Sequence, residues 1–160
     1  MKLYHGSLVK VLSPRVIPTG HTSDYGVGFY TTTSFEQAER WVKRKLDESQ
    51  TIGYVNVYEW DENAKDVLSF LHFPAVSDEW IDFVHNNRTV PKFTHDYDIV
   101  YGPVANDRVY AAFALFEQGF IDKPTLIREM RAYKLVDQML FHTEKSLESL
   151  TYLDSKEISL

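Results

Sequence analysis

Between Gly28 and Trp60 the spacing of apolar residues changes twice, and this double change restricts the folds open to the chain. "GFYTTT" pairs two aromatics with three threonines and reads as a strand. Ser34 followed three positions later by Gln37 is a capping-box signature. Phe35, Ala38, Trp41, Val42 and Leu46 then recur at helical spacing, which predicts a helix from Phe35 to about Glu48. "IGYVNVYEW" returns to alternation, with Tyr54, Asn56 and Tyr58 on one face and Val55, Val57 and Glu59 on the other.

Elsewhere the order of elements is irregular. "KLYHGS" predicts a first strand ended by Gly6, and "VKVLSPRVIPTGHTSDYGVG", with its prolines and glycines, predicts a loop. "SDEWIDFVHNN" reads as a helix capped by Ser77, and "YDIVYGPV" as a strand. "DRVYAAFALFEQG" is a helix stopped at Gly119, and "DKPTLIREMR" is another with Pro124 near its start. "AYKLVDQMLF" reads as a strand, and Thr143 caps a short helix in "EKSLESL". Strands and helices that do not alternate regularly predict α+β rather than a doubly wound sheet. No repeat or linker divides the chain, so residues 1–160 are expected to form one domain.

Several function classes are disfavoured at this stage. Cysteine is absent, which removes disulfide and thiolate chemistry and suggests a reducing compartment. A net charge of −6 argues against a broad nucleic-acid surface, and Lys43, Arg44 and Lys45 read as a solvated helix face. The longest apolar run, Val109 to Phe116, is far short of the roughly 20 residues that span a bilayer. The first ten residues are too polar for a signal peptide, so a cytoplasmic location and no membrane partner are expected. His5, His21, His72, His85, His95 and His142 show no local metal-pair spacing, so no metal site is expected. Gly26 and Gly28 predict a sharp turn or a close backbone approach. They are not a dinucleotide fingerprint, because a β-rich segment follows them.

Taken together, three segments resemble the ADP-ribosyltransferase superfamily, specifically the His-Tyr-Glu branch that includes poly(ADP-ribose) polymerase catalytic domains and diphtheria-like toxins. "LYHGS" resembles the first strand, with His5, Gly6 and Ser7 intact. "YGVGFYTT" resembles the tyrosine segment and marks Tyr30. "VDQMLF" resembles the late strand that carries the third signature residue, here Gln138. Eleven residues after Tyr30 stands Trp41, where polymerase-like members carry a second aromatic. Within the superfamily the chain looks most like a bacterial group of short single-domain proteins, some of them toxins encoded beside a small antitoxin.

The resemblance implies a fold of two small packed sheets with flanking helices, and NAD as co-substrate in the cleft between them. It implies that Gly6 pairs through its backbone with the nicotinamide carboxamide, that Tyr30 and Trp41 sandwich the ring, and that His5, helped by Ser7, bonds a ribose hydroxyl. His5, Tyr30 and Gln138 are the implied catalytic residues, and Arg15 is a candidate for the pyrophosphate. The implied reaction is mono-ADP-ribosyl transfer to a macromolecular acceptor, protein being favoured over nucleic acid, by a toxin or defence effector with a small antitoxin as partner.

The chain departs from the family pattern twice. Gln138 stands where the family has glutamate, which keeps a hydrogen bond and loses a charge. Ala38 stands where a serine of the family helps hold the carboxamide, so that contact is either missing or supplied by Thr31 or Thr33. Asp137 and Glu144 flank Gln138 without being candidates for the missing carboxylate, since Asp137 should face the other side of its strand. These departures motivate an alternative: a catalytically silent module that binds NAD, another nucleotide or a partner. Asn106, Asp107 and Arg108 are polar residues after a Gly-Pro turn, open to an acceptor or phosphate role or to simple helix capping.

Overall fold

A computed structural model describes residues 1–18, 23–104, 107–133 and 135–160, without the side chains of residues 107–109. In chain order the elements are β1 (Lys2–Ser7), β2 (Phe29–Thr32), α1 (Phe35–Lys45), β3 (Ile52–Trp60), α2 (Ala64–Val67), β4 (Phe70–His72) and α3 (Asp78–Thr89). Then follow β5 (Ile99–Pro103), α4 (Asp107–Glu117), α5 (Lys123–Arg131), β6 (Asp137–Phe141), α6 (Glu144–Leu147) and β7 (Leu150–Ser159). The architecture is α+β. Among the described residues the strands form one seven-stranded sheet in the order β4-β5-β6-β2-β1-β3-β7. Only the β4–β5 pair is parallel.

Local chemistry accounts for the helix boundaries. The Ser34 hydroxyl accepts the Gln37 N–H at 3.2 Å and starts α1. The reciprocal half of the expected capping box is replaced, because the Ser34 N–H donates to Thr32 Oγ1 at 3.1 Å. The helix stops at Lys45, short of the expected Glu48, where Asp47 Oδ1 gathers the N–H groups of Ser49 and Gln50 into a turn. Asp122 caps α5 and Ser77 caps α3 in the same way.

The core has three parts. Trp80, Ile81 and Val84 of α3, Phe113 of α4, and Leu126 and Met130 of α5 cover Val100 and Leu140 of β5 and β6. Ala38, Val42 and Leu46 cover Val55 and Ile158 on the other half of the sheet. The third part joins the two halves: Leu3, Phe29, Tyr58 and Trp60 meet Ile99, Met139 and Phe141.

That shared cluster decides the shape of the sheet. Trp60 of β3 stacks on Phe70 of β4 with ring centroids 5.9 Å apart. In a flat sheet, five strand steps would hold them about 24 Å apart. The sheet therefore curls back on itself, and its two halves face each other across the shared cluster. Two separate sheets were the expectation; instead one hydrogen-bonded sheet is folded over, joined between β1 and β2 by the single pair Tyr4↔Thr32.

Candidate active site

The β1–β2 seam is where the signature residues gather. Beyond Tyr4↔Thr32 the ladder stops, leaving His5, Gly6 and Ser7 on one lip and Phe29, Tyr30 and Thr31 on the other. His5 wedges this seam. Its Nδ1 donates to the Tyr30 carbonyl at 2.6 Å, and its ring lies 4.2 Å from that of Phe29. A side chain thus takes the carbonyl that a neighbouring strand would otherwise use. Donation from Nδ1 leaves Nε2 with its lone pair, and burial holds the imidazole below its usual pKa, against the pull of the Tyr30 carbonyl.

Gly6 sits against α1. A Cβ there would meet the Ala38 carbonyl at 2.6 Å and Trp41 Cε3 at 3.2 Å, so only glycine permits this approach. The Trp41 ring stays 44% exposed beside Gly6, with Lys45 Nζ 5.6 Å from its centroid. An exposed tryptophan on a glycine-floored lip offers a flat apolar surface next to main-chain polar groups.

Tyr30 is anchored at its far end. Its hydroxyl donates to the Gly26 carbonyl at 2.5 Å and accepts the Tyr25 N–H at 3.1 Å. Burial raises its pKa, so the phenol remains a donor at neutral pH. Gly26 takes φ +90° to make this turn. Two histidines hold the turn from behind. His95 Nε2 donates to the Tyr25 carbonyl at 2.8 Å while its Nδ1 accepts the Tyr97 N–H at 3.2 Å. His142 Nδ1 binds the Val27 carbonyl, and the two imidazoles lie 4.2 Å apart.

Gln138 lies in register with Thr32 on β2 and Gly102 on β5, which puts its side chain on the same sheet face as that of Tyr30. It is 8% exposed, and its Nε2 donates to the Pro103 carbonyl at 3.3 Å. Beside it is Asp24, also 8% exposed, which the sequence reading did not single out. Asp24 accepts a hydrogen bond from the Tyr110 hydroxyl at 3.3 Å, with the Gln138 amide a second donor nearby. Burial raises the Asp24 carboxyl, while the charge of Arg88 and these two donors pull it back down. Arg88 pairs with Glu117 at 3.7 Å and lies 5.1 Å from the Tyr110 ring. A buried acid near a suspect amide leaves no local sequence pattern, because its partners come from α3, α4 and β6.

The remaining expected residues scatter. Thr31 is buried, and its hydroxyl donates to the Met139 carbonyl at 2.9 Å, which commits it to holding β2 on β6 rather than to lining the seam. Thr33 is likewise turned to the Asp137 carbonyl, at 3.3 Å. The Ser7 hydroxyl accepts the Val9 N–H at 3.2 Å. Arg15 is exposed on a strap, residues 8–18, which is tied down by Val16 N–H to Glu144 Oε1 at 2.9 Å and by Val11 N–H to Asn56 Oδ1 at 2.9 Å. Asp137 accepts from the Tyr101 hydroxyl at 3.3 Å. His21 and Asn106 lie outside the described residues, as do the side chains of Asp107 and Arg108. A pocket of about 230 Å³ lined by Val76, Pro103, Met130, Arg131, Tyr133 and Asp137 adjoins the outer ends of β5 and β6. Among the described residues no group of three acidic or imidazole side chains could hold a metal ion, and no helix is long and apolar enough to cross a membrane.

Fold and site together define an α+β protein whose curled sheet is interrupted at one strand seam. The chain belongs to the family described as "Protein of unknown function (DUF3990)", whose family model matches residues 1–152. A search of curated proteins found no match.

Proposed function

We propose that this protein is a NAD-dependent mono-ADP-ribosyltransferase with the fold of that superfamily, its acceptor a macromolecule and most naturally a protein. One observation carries the reading. His5 and Gly6, Tyr30, and Gln138 lie on the adjacent strands β1, β2 and β6, with Thr32 paired both to Tyr4 and to Gln138. The seam also offers the co-substrate main-chain groups of a glycine lip beside an exposed indole, with an imidazole lone pair on the next residue of the strand.

NAD⁺ supplies an electrophilic ribose carbon whose bond to nicotinamide breaks with the electron pair leaving on nicotinamide, while the acceptor's nucleophile takes that carbon and releases its proton to solvent water. The chain's residues hold and orient. The Gly6 backbone meets the planar carboxamide, and the rings of Trp41 and Tyr30 flank the nicotinamide. His5 Nε2 accepts from a ribose hydroxyl, and Gln138 accepts from a second one. In the toxin or defence-effector reading, a small antitoxin protein is the partner that would block this cleft.

Incubating the purified chain with labelled NAD⁺ and a cell lysate should label a macromolecule and release nicotinamide. Neither product appearing from a folded protein would overturn the proposal. The uncharged Gln138 favours a second reading, a silent NAD-binding module, for which calorimetry would show NAD⁺ binding, with no nicotinamide released by either the natural chain or Gln138→Glu.

A further inference from the structure

Gly102 and Gln138 stand opposite each other on β5 and β6, so their side-chain directions share one face of the sheet. Glycine leaves its place on that face open, and the Tyr25 hydroxyl fills it. A Cβ on Gly102 would lie 2.6 Å from the Tyr25 oxygen. The cross-strand neighbour of Gln138 is thus a phenol delivered by the loop before β2. From there the hydroxyl donates to the Pro103 carbonyl at 2.9 Å and accepts the Trp80 Nε1–H at 2.8 Å. The same carbonyl accepts from Gln138 Nε2 at 3.3 Å. A carbonyl only accepts, so the nitrogen is the atom of the Gln138 amide that faces it.

The main chain of Tyr25 reaches another strand of the site. Its N–H donates to the Tyr30 hydroxyl at 3.1 Å, and its carbonyl accepts from His95 Nε2 at 2.8 Å. The Tyr30 hydroxyl in turn donates to the carbonyl of Gly26, the next residue of the turn. Tyr25 is fully buried in the close-packed core under α3, which holds its ring and its backbone together. One residue therefore bonds Tyr30 through its backbone and shares an acceptor with Gln138 through its side chain.

We propose that Tyr25 is a positioning residue that holds Tyr30 and Gln138 at a fixed spacing, so that ring and amide meet the same bound nucleotide. The inference rests on the transferase reading and deepens it. Two donors on one carbonyl divide its lone pairs, which confines the direction from which the Gln138 amide approaches. Tyr25→Phe keeps the ring in the core and the N–H on Tyr30, and it removes the hydroxyl alone. The amide then loses the neighbour that confines it, while Tyr30 stays anchored.

Two measurements test this. In the ¹⁵N-labelled protein, Y25F should shift the Gln138 side-chain amide resonances, because the Pro103 carbonyl is no longer shared. Ile81→Val thins the same core without removing any of these hydrogen bonds, and should leave the resonances in place. In nicotinamide release, Y25F should lower kcat by about 10-fold with little change in the KM for NAD⁺. In a Gln138→Ala background Y25F should cost nothing further, because the amide that it positions is gone. A merely structural tyrosine would slow both backgrounds alike. Trp80→Phe removes the donor that strengthens the Tyr25 hydroxyl, and should produce the same two changes in smaller measure. It carries the test if the Y25F chain does not fold.

Gln138 resonances that stay in place overturn the Tyr25–Gln138 link and leave the transferase reading standing. A variant at the natural rate, or one equally slowed with and without Gln138, overturns the positioning role. Shifted resonances beside a natural chain that releases no nicotinamide overturn the transferase reading itself, and the role of Tyr25 with it.

Discussion

The two edges of β1 behave differently. Toward β3 it pairs at six consecutive residues, Lys2 to Ser7; toward β2 it pairs at Tyr4 alone. The ladder edge is sealed by Asn56, a fully buried amide. Its Oδ1 accepts from Val11 N–H at 2.9 Å and Ser155 Oγ at 2.6 Å, and its Nδ2 donates to the carbonyls of His5 and Val9, both at 3.3 Å. The seam edge has instead one imidazole, one glycine and one exposed indole. A single strand thus has a full ladder on one side and an interrupted one on the other, and His5, Gly6 and Tyr30 stand at the interruption.

If this contrast is right, substitutions on the ladder edge should cost stability and those on the seam should cost function. The largest stability loss should come from Asn56→Ala, about 3 kcal/mol, since the four bonds of one buried amide are lost at once; urea denaturation would measure it. Gly6→Ala should cost about 1–3 kcal/mol, because its methyl meets the Ala38 carbonyl, and should also abolish NAD⁺ binding in calorimetry. A Gly6→Ala chain that binds NAD⁺ normally would remove the seam from the site.

Acidity offers a milder test. Burial lowers the pKa of both His5 and His95, so the folded chain holds them neutral while the unfolded chain takes up protons first. Their contribution to stability is present above about pH 6.5 and is lost as pH falls below it, by at most about 1.4 kcal/mol per pH unit for each histidine. His95→Gln should flatten that slope in thermal melts between pH 7 and 5.5. Trp41→Ala should have the smallest effect on stability, below about 0.5 kcal/mol at an exposed site. It should still weaken NAD⁺ binding by about 2- to 12-fold through lost stacking. A larger stability loss with unchanged binding would make Trp41 a core residue and erase the contrast.

Elements with strong local signals were legible in the sequence. Capping serines and helical spacing marked α1 and α3, and β3 runs from Ile52 to Trp60 as the alternation indicated. β7 gave no such signal. Only Ile158 of its ten residues is buried, and the strand exists because β3 offers it a partner. "AYKLVDQMLF" predicts a strand from Ala132, whereas β6 begins at Asp137, opposite Pro103 at the end of β5. The segments of His5, Gly6, Tyr30 and Gln138 stand out in the sequence, and the structure sets them on the adjacent strands β1, β2 and β6. Asp24 does not stand out, since a loop acid becomes a buried one only when Tyr110 and Arg88 arrive from distant helices.

The β3–β7 ladder has a consequence for how the chain is made. It pairs Trp60 with Leu150 and Ile52 with Ser159, so the most extensive strand pairing links positions far apart in sequence. Such contacts form slowly, because a long loop must close before any bond rewards it. During synthesis β3 emerges from the ribosome long before β7 does, and its outer edge stays bare in the interval. The seam, whose first lip is braced by β3, therefore gains its full support only when β7 has docked.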